Sequence, residues 1–244
     1  MRFSRDIGAP GPAIGAGRPW TRLGRVTVLL GGGGDADDER PVLDRFAALA
    51  AQGAVAYWPV ALDLDDYTAA TEFVETVLGR GVQTWDHLDE HEPEEVTVQA
   101  GVFIGGGNTF HLLNEIRCSG MDGVLRSFAR TGVLYGGSAG AIVIGADVDS
   151  ASHIDTDRVG MADRRGLDLI GGYAVWCHFA DGHRDAVTAW AQERGRPVLA
   201  LTERSGVEVS NGVVSSIGWE PVLAVDIGGR CRHVGPGDAF SLGS

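Results

Sequence analysis

Apolar residues in this chain fall in short unbroken runs, and glycine-rich breaks separate them. Residues 25–30 (RVTVLL) form a β-branched run that ends in four glycines, which predicts a buried strand and a loop. Residues 41–52 then carry Leu43, Phe46, Ala47 and Leu49 at helical spacing. The same alternation continues with a strand over 54–60, a helix over 67–78 closed by Gly79 and Gly81, and a strand over 101–104 running into Gly105-Gly106-Gly107-Asn108. Helices over 110–116 and 121–131 follow, then a strand over 132–135. The acidic stretch 86–95 reads as a solvated linker.

Runs apolar along their whole length, alternating with helices, predict a mainly parallel sheet covered on both faces, a three-layer α/β sandwich. Beyond residue 170 the pattern changes. A strand at 173–177 is followed by short β-rich pieces at 198–201, 206–209, 213–217, 222–226 and 232–234, which are expected to add strands at one edge of the sheet. No repeat and no long linker divides the chain. Residues 25–244 are expected to form one domain behind a loosely ordered N-terminal extension, 1–24.

Composition narrows the function classes. The net charge of −13 argues against nucleic acid as a partner. No apolar run approaches the ~20 residues of a membrane helix, and residues 1–24 lack the apolar core of a secretory signal. Cys118, Cys177 and Cys231 are far apart and odd in number, which fits a reducing, cytoplasmic compartment better than a disulfide framework or a zinc cluster. A monomer or homodimer is expected.

The candidate chemistry begins at Gly136-x-Ser138-x-Gly140, which lies between a predicted strand and the small residues of a helix start, Ala139, Gly140 and Ala141. A sharp strand-to-helix turn leaves no room for large flanking side chains. It exposes the serine hydroxyl above the carboxyl ends of the strands, as in a nucleophile elbow. The amide of Ala139 comes with this turn as an oxyanion donor, and the loop 105–108 is placed to supply a second. That loop does not complete G-x-G-x-x-G, because Phe110 occupies the last position, and no Lys-Ser/Thr pair makes a P-loop.

A serine nucleophile needs a base, usually a histidine oriented by a carboxylate. Of the seven histidines, His178 is the strongest candidate, since it follows the strand 173–177; His183 lies near the same rim. Asp147, Asp149, Asp155, Asp157, Asp163 and Asp168 all lie between Ser138 and His178, and residue types alone do not rank them.

Three segments together, 103–113 (FIGGGNTFHLL), 136–141 (GGSAGA) and 176–179 (WCHF), resemble peptidase family S51, the family of dipeptidase E and cyanophycinase. The resemblance covers roughly residues 25–210. It implies a flavodoxin-like fold, similar to class I glutamine amidotransferases, and a serine peptidase acting on a small peptide without metal or organic cofactor. It also implies Ser138 as nucleophile, His178 as base, and the amides of Gly107 and Ala139 as oxyanion donors. For the acid, family spacing favours Asp155, with Asp157 in reserve; Glu203 stands where the family tends to carry a carboxylate near the site and is a further alternative, either to orient the base or to bind substrate. Asn108, His183 and Arg184 are the expected substrate-binding side chains. Dipeptidase E relatives carry a G-H-x-G-E-T-R loop after the histidine; here the Glu-Thr-Arg part is missing, and Arg184 is the nearest arginine. An esterase or amidase with the same triad, or a non-catalytic binding relative, is the alternative reading.

Overall fold

The computed structural model describes residues 26–62 and 64–242, so the expected extension 1–24 lies outside the described residues. Five parallel strands form the centre: β1 (Thr27–Gly31), β2 (Val55–Trp58), β3 (Gln83–Thr84), β4 (Gly101–Ile104) and β5 (Val133–Gly137). They belong to an eight-stranded sheet of order β12-β9-β8-β1-β5-β4-β2-β3, in which β8 (Gly206–Ser210), β9 (Val213–Ser216) and β12 (Ala239–Ser241) are antiparallel.

Strand periodicity sorts the sheet's side chains into two cores. Leu29, Tyr57, Phe103 and Tyr135 point to one face and pack on α1 (Arg40–Leu49) and α2 (Thr68–Leu78). Val28, Leu30, Trp58, Val102, Ile104 and Leu134 point to the other. There they meet α3 (Pro93–Thr97), α4 (Thr109–Cys118), α5 (Met121–Phe128) and α6 (Ala139–Ile144). This is the three-layer sandwich expected from the apolar runs.

Two expectations are corrected. The C-terminal strands do not all extend one edge. β6 (Ala174–Trp176), β7 (Val198–Ala200), β10 (Val222–Val225) and β11 (Cys231–Val234) make a separate four-stranded sheet of order β11-β10-β7-β6. β6, β7 and β10 are apolar on both faces, so each face requires cover. Val175, Leu199 and Ala224 join the core built on α4–α6, while Trp176, Ala200 and Leu223 are covered by α7 (Arg184–Arg194) through Val187 and Ala191.

Nor is the segment 86–95 a solvated linker. Leu88 and the preceding Trp85 are buried, His91 stacks on Trp85 at 3.9 Å, and a reciprocal capping box between Glu92 and Glu95 starts α3. Two apolar anchors outweigh the surrounding charges, which remain at the surface. No described helix is long and apolar enough to cross a membrane.

Phe46 of α1 is wholly buried, with its ring centroid 5.8 Å from those of Phe103 and Tyr135. Phe46→Ala leaves a cavity under β4 and β5 and is expected to cost about 3–5 kcal/mol in urea-unfolding experiments.

Candidate active site

β1, β4 and β5 end at one level, since Gly31 pairs with Gly137 and Ile104 with Gly136. Ser138 is the first residue beyond that line, in the crevice where open α/β sheets place their sites. Its backbone is strained, at φ 49° and ψ −111°. His178 also has a positive φ, 50°. Such conformations cost of order 1–3 kcal/mol each and survive only where surrounding contacts enforce them.

The small sheet delivers the partners. β6 and β7 run parallel with Trp176 opposite Ala200, so the residues just past their ends, His178 and Glu203, emerge together. Nε2 of His178 is 2.9 Å from the Ser138 hydroxyl oxygen, and Nδ1 is 3.1 Å from Glu203 Oε1. An ionised carboxylate only accepts, so Nδ1 carries the proton and donates to Glu203. Nε2 is then left to accept from the serine hydroxyl.

The carboxylate beside His178 is therefore Glu203, and not Asp155. Asp155 Oδ2 accepts from the amide of Thr109 at the start of α4 (2.9 Å). Asp157 pairs with Arg164 at 2.9 Å and accepts from the amides of Val159 and Met161. Of the expected substrate-binding groups, Asn108 caps α4, with Oδ1 accepting from His111 N and Nδ2 donating to Thr156 O. Nδ1 of His183 accepts from Ala180 N. The guanidinium of Arg184 donates to His233, which lines a cavity of about 630 Å³ together with His178, Thr202, Glu203 and Arg204.

Gly107 has φ 135°, and a Cβ there would stand 2.1 Å from the carbonyl oxygen of Ala61, so only glycine lets this loop pass. The neighbouring Gly106 approaches Ser138. No hydrogen bond among the described residues uses the amide of Gly107 or Ala139.

The feature missed in the sequence is the glycine run 31–34. Ser138 N donates to Gly31 O (3.2 Å), His178 N to Gly32 O (3.1 Å) and Gly32 N to Ser205 O (3.2 Å). This loop ties the serine of one sheet to the histidine of the other. Gly33, at φ 101°, lies against both, since a Cβ there would fall 2.6 Å from His178 Nε2 and 2.9 Å from Ser138 Cβ. Four successive glycines were the available signal, because such a run is costly in entropy unless close approach requires it.

Glu39 supports this loop from beneath. It is 4% exposed, accepts from Gly33 N at 2.6 Å and takes the hydroxyl of Tyr135. Desolvation raises its pKa from 4.5 to about 6, against the lowering effect of those two hydrogen bonds. Burial and the neighbouring Glu39 push the Tyr135 phenol well above its ordinary value.

A strained serine at a strand-to-helix turn, hydrogen-bonded to a histidine over a parallel sheet, defines a class of α/β hydrolases. Peptidase family S51 matches residues 27–217, and the chain belongs to this family. It is a peptidase, a serine hydrolase. It is 30% identical to Peptidase E of Salmonella arizonae over 164 residues, which cover 61% of this chain and 68% of the relative. To Peptidase E of Haemophilus influenzae it is 25% identical over 199 residues, 77% of this chain and 83% of the relative. The crystal structure of a peptidase from an acI-B1 actinobacterium superposes with a TM-score of 0.65 at 16% identity. It covers 89% of this chain and 97% of that one, and shares the fold.

The raised pKa of Glu39 has a measurable consequence. The fold binds the Glu39 proton more tightly than the unfolded chain does. The associated stability is present below pH 4.5 and is lost as pH rises through about 6. Comparing wild type with Glu39→Gln cancels the other titrating groups. The difference in unfolding free energy is expected to move by up to about 2 kcal/mol in favour of the glutamine variant between pH 4.5 and 7. A difference that stays flat would contradict the burial assigned to Glu39.

Proposed function

We propose that the chain is a serine peptidase acting on small peptides, with Ser138, His178 and Glu203 as its triad. The continuous hydrogen-bond path from the Ser138 hydroxyl through both ring nitrogens of His178 to Glu203 carries this reading. His178 Nε2 takes the serine proton as the oxygen attacks the scissile carbonyl. The amides of Gly107 and Ala139 receive the oxyanion. His178 then gives the proton to the leaving amine, and an acyl-enzyme ester remains on Ser138. Water, deprotonated by the same nitrogen, adds to the ester and releases the product acid. Glu203 holds the ring and stabilises its cationic form. The free thiols of Cys118, Cys177 and Cys231 fit a reducing cytoplasm as the compartment.

Ser138→Ala is expected to abolish both dipeptide hydrolysis and labelling by a fluorophosphonate probe; activity surviving in that variant would refute the mechanism. Glu203→Gln and Asp155→Ala separate the two carboxylates. Loss of Glu203 should lower kcat at least about tenfold, without unfolding the protein. Loss of Asp155 should cost about 1 kcal/mol of stability through the α4 start and leave kcat within about threefold. The opposite pattern would return the triad acid to Asp155.

A further inference from the structure

A second cavity, of about 240 Å³, opens at Ser138 between the ends of β1, β4 and β5 and the helices α1 and α2. Its inner wall is Leu43, Tyr57, Val74, Phe103 and Tyr135, all buried. At the mouth, Leu62 and Phe73 are 37% and 50% exposed. Two large apolar side chains held half in water at the entrance of an apolar cavity form a surface that a ligand would cover. The volume is below the 300 Å³ or so at which whole drug-sized ligands are accommodated, and suits a single side chain.

We propose that this cavity takes the side chain on the acyl side of the scissile bond and selects an uncharged, apolar one. The inference rests on Ser138 being the nucleophile and deepens that reading. The side of the bond follows from the proton path. His178 must protonate the leaving amine, so the leaving group lies toward His178 and the larger cavity, which His178 and Glu203 line. The smaller cavity meets Ser138 on its other flank, along Gly33, Gly105 and Gly106, and His178 is not in its wall. The acyl portion is what remains for it.

The charge of the cavity settles the kind of side chain. Among the described residues, no lysine, arginine or histidine lines it, and its two carboxyl groups, Asp35 and Glu39, oppose an acidic side chain. A basic side chain gains little from Glu39, whose two oxygens already accept from Gly33 N and the Tyr135 hydroxyl, or from Asp35, which is exposed at the rim with Oδ1 accepting from the amides of Asp37 and Asp38. It would also desolvate its ammonium against aromatic walls. Leucine or phenylalanine instead buries apolar surface on Tyr57, Phe73 and Phe103. This distinguishes the chain from an enzyme built for N-terminal aspartate.

The test is the series Leu-Ala, Phe-Ala, Gly-Ala, Asp-Ala and Lys-Ala. In wild type, kcat/KM for Leu-Ala or Phe-Ala is expected to exceed that for Gly-Ala at least about tenfold, with Asp-Ala and Lys-Ala below Gly-Ala. Phe73→Ala, at a half-exposed position, should lower the Leu-Ala to Gly-Ala ratio at least about threefold. Ala70→Phe, which fills the cavity from α2, should bring that ratio close to one. Fluorophosphonate labelling of Ser138 is followed in every protein to show that the site is assembled. Failure to label in wild type overturns the serine mechanism itself. Labelling together with preferred cleavage of Asp-Ala or Lys-Ala, or with no side-chain preference or no turnover across the series, overturns the subsite and leaves the nucleophile standing.

Discussion

Three backbone hydrogen bonds made by the glycine run after β1 hold the site together. Ser138 follows directly on a strand of the large sheet, and His178 lies just past a strand of the small one. The carbonyls of Gly31 and Gly32 accept from the amides of these two residues, and Gly32 N donates to Ser205 beside the Glu203 turn. The two sheets share an apolar core through Val175, Leu199 and Ala224, and these hydrogen bonds fix their relative position at the site. The loop can do this only without side chains, because Ser138, His178 and the Thr202 carbonyl already fill the space around it. The positive φ of both Ser138 and His178 fits the same account, since each is bent out of its strand and pinned there.

Glu39 extends that constraint into the core. A buried carboxylate is costly, and here its cost is offset by two donors, one being the amide of Gly33 next to Ser138. The result is a polar strut between α1, β5 and the loop of Gly31 to Gly34, within an otherwise apolar layer of Leu43, Phe46, Tyr57 and Phe103. The same layer continues to the surface at Phe73 and Leu62 as the wall of the smaller cavity. Packing of this face thus both supports the turn at Ser138 and shapes the space beside it.

Much of the central sheet was legible, because its strands are buried on both faces and therefore read as unbroken apolar runs, with helical spacing between them. Ser138 and the loop 105–108 were legible for a related reason. Sharp turns that bring backbone against backbone demand glycine, and glycine leaves a mark. The small sheet was misassigned to an edge because β-rich composition specifies strands without specifying their neighbours. The segment 86–95 was misread because its charges outnumber the two apolar side chains that hold it in place.

Residue types and their local order determined the parallel α/β layers, the serine at the turn and the histidine past a strand end. Which carboxylate stands behind that histidine was decided only by tertiary structure. Asp155 has the closer sequence spacing, yet it is spent on the start of α4. Glu203 lies 25 residues beyond His178 and on the far side of α7. A crossover that sets β7 parallel to β6 brings it back to the imidazole, and sequence separation carries no information about that return.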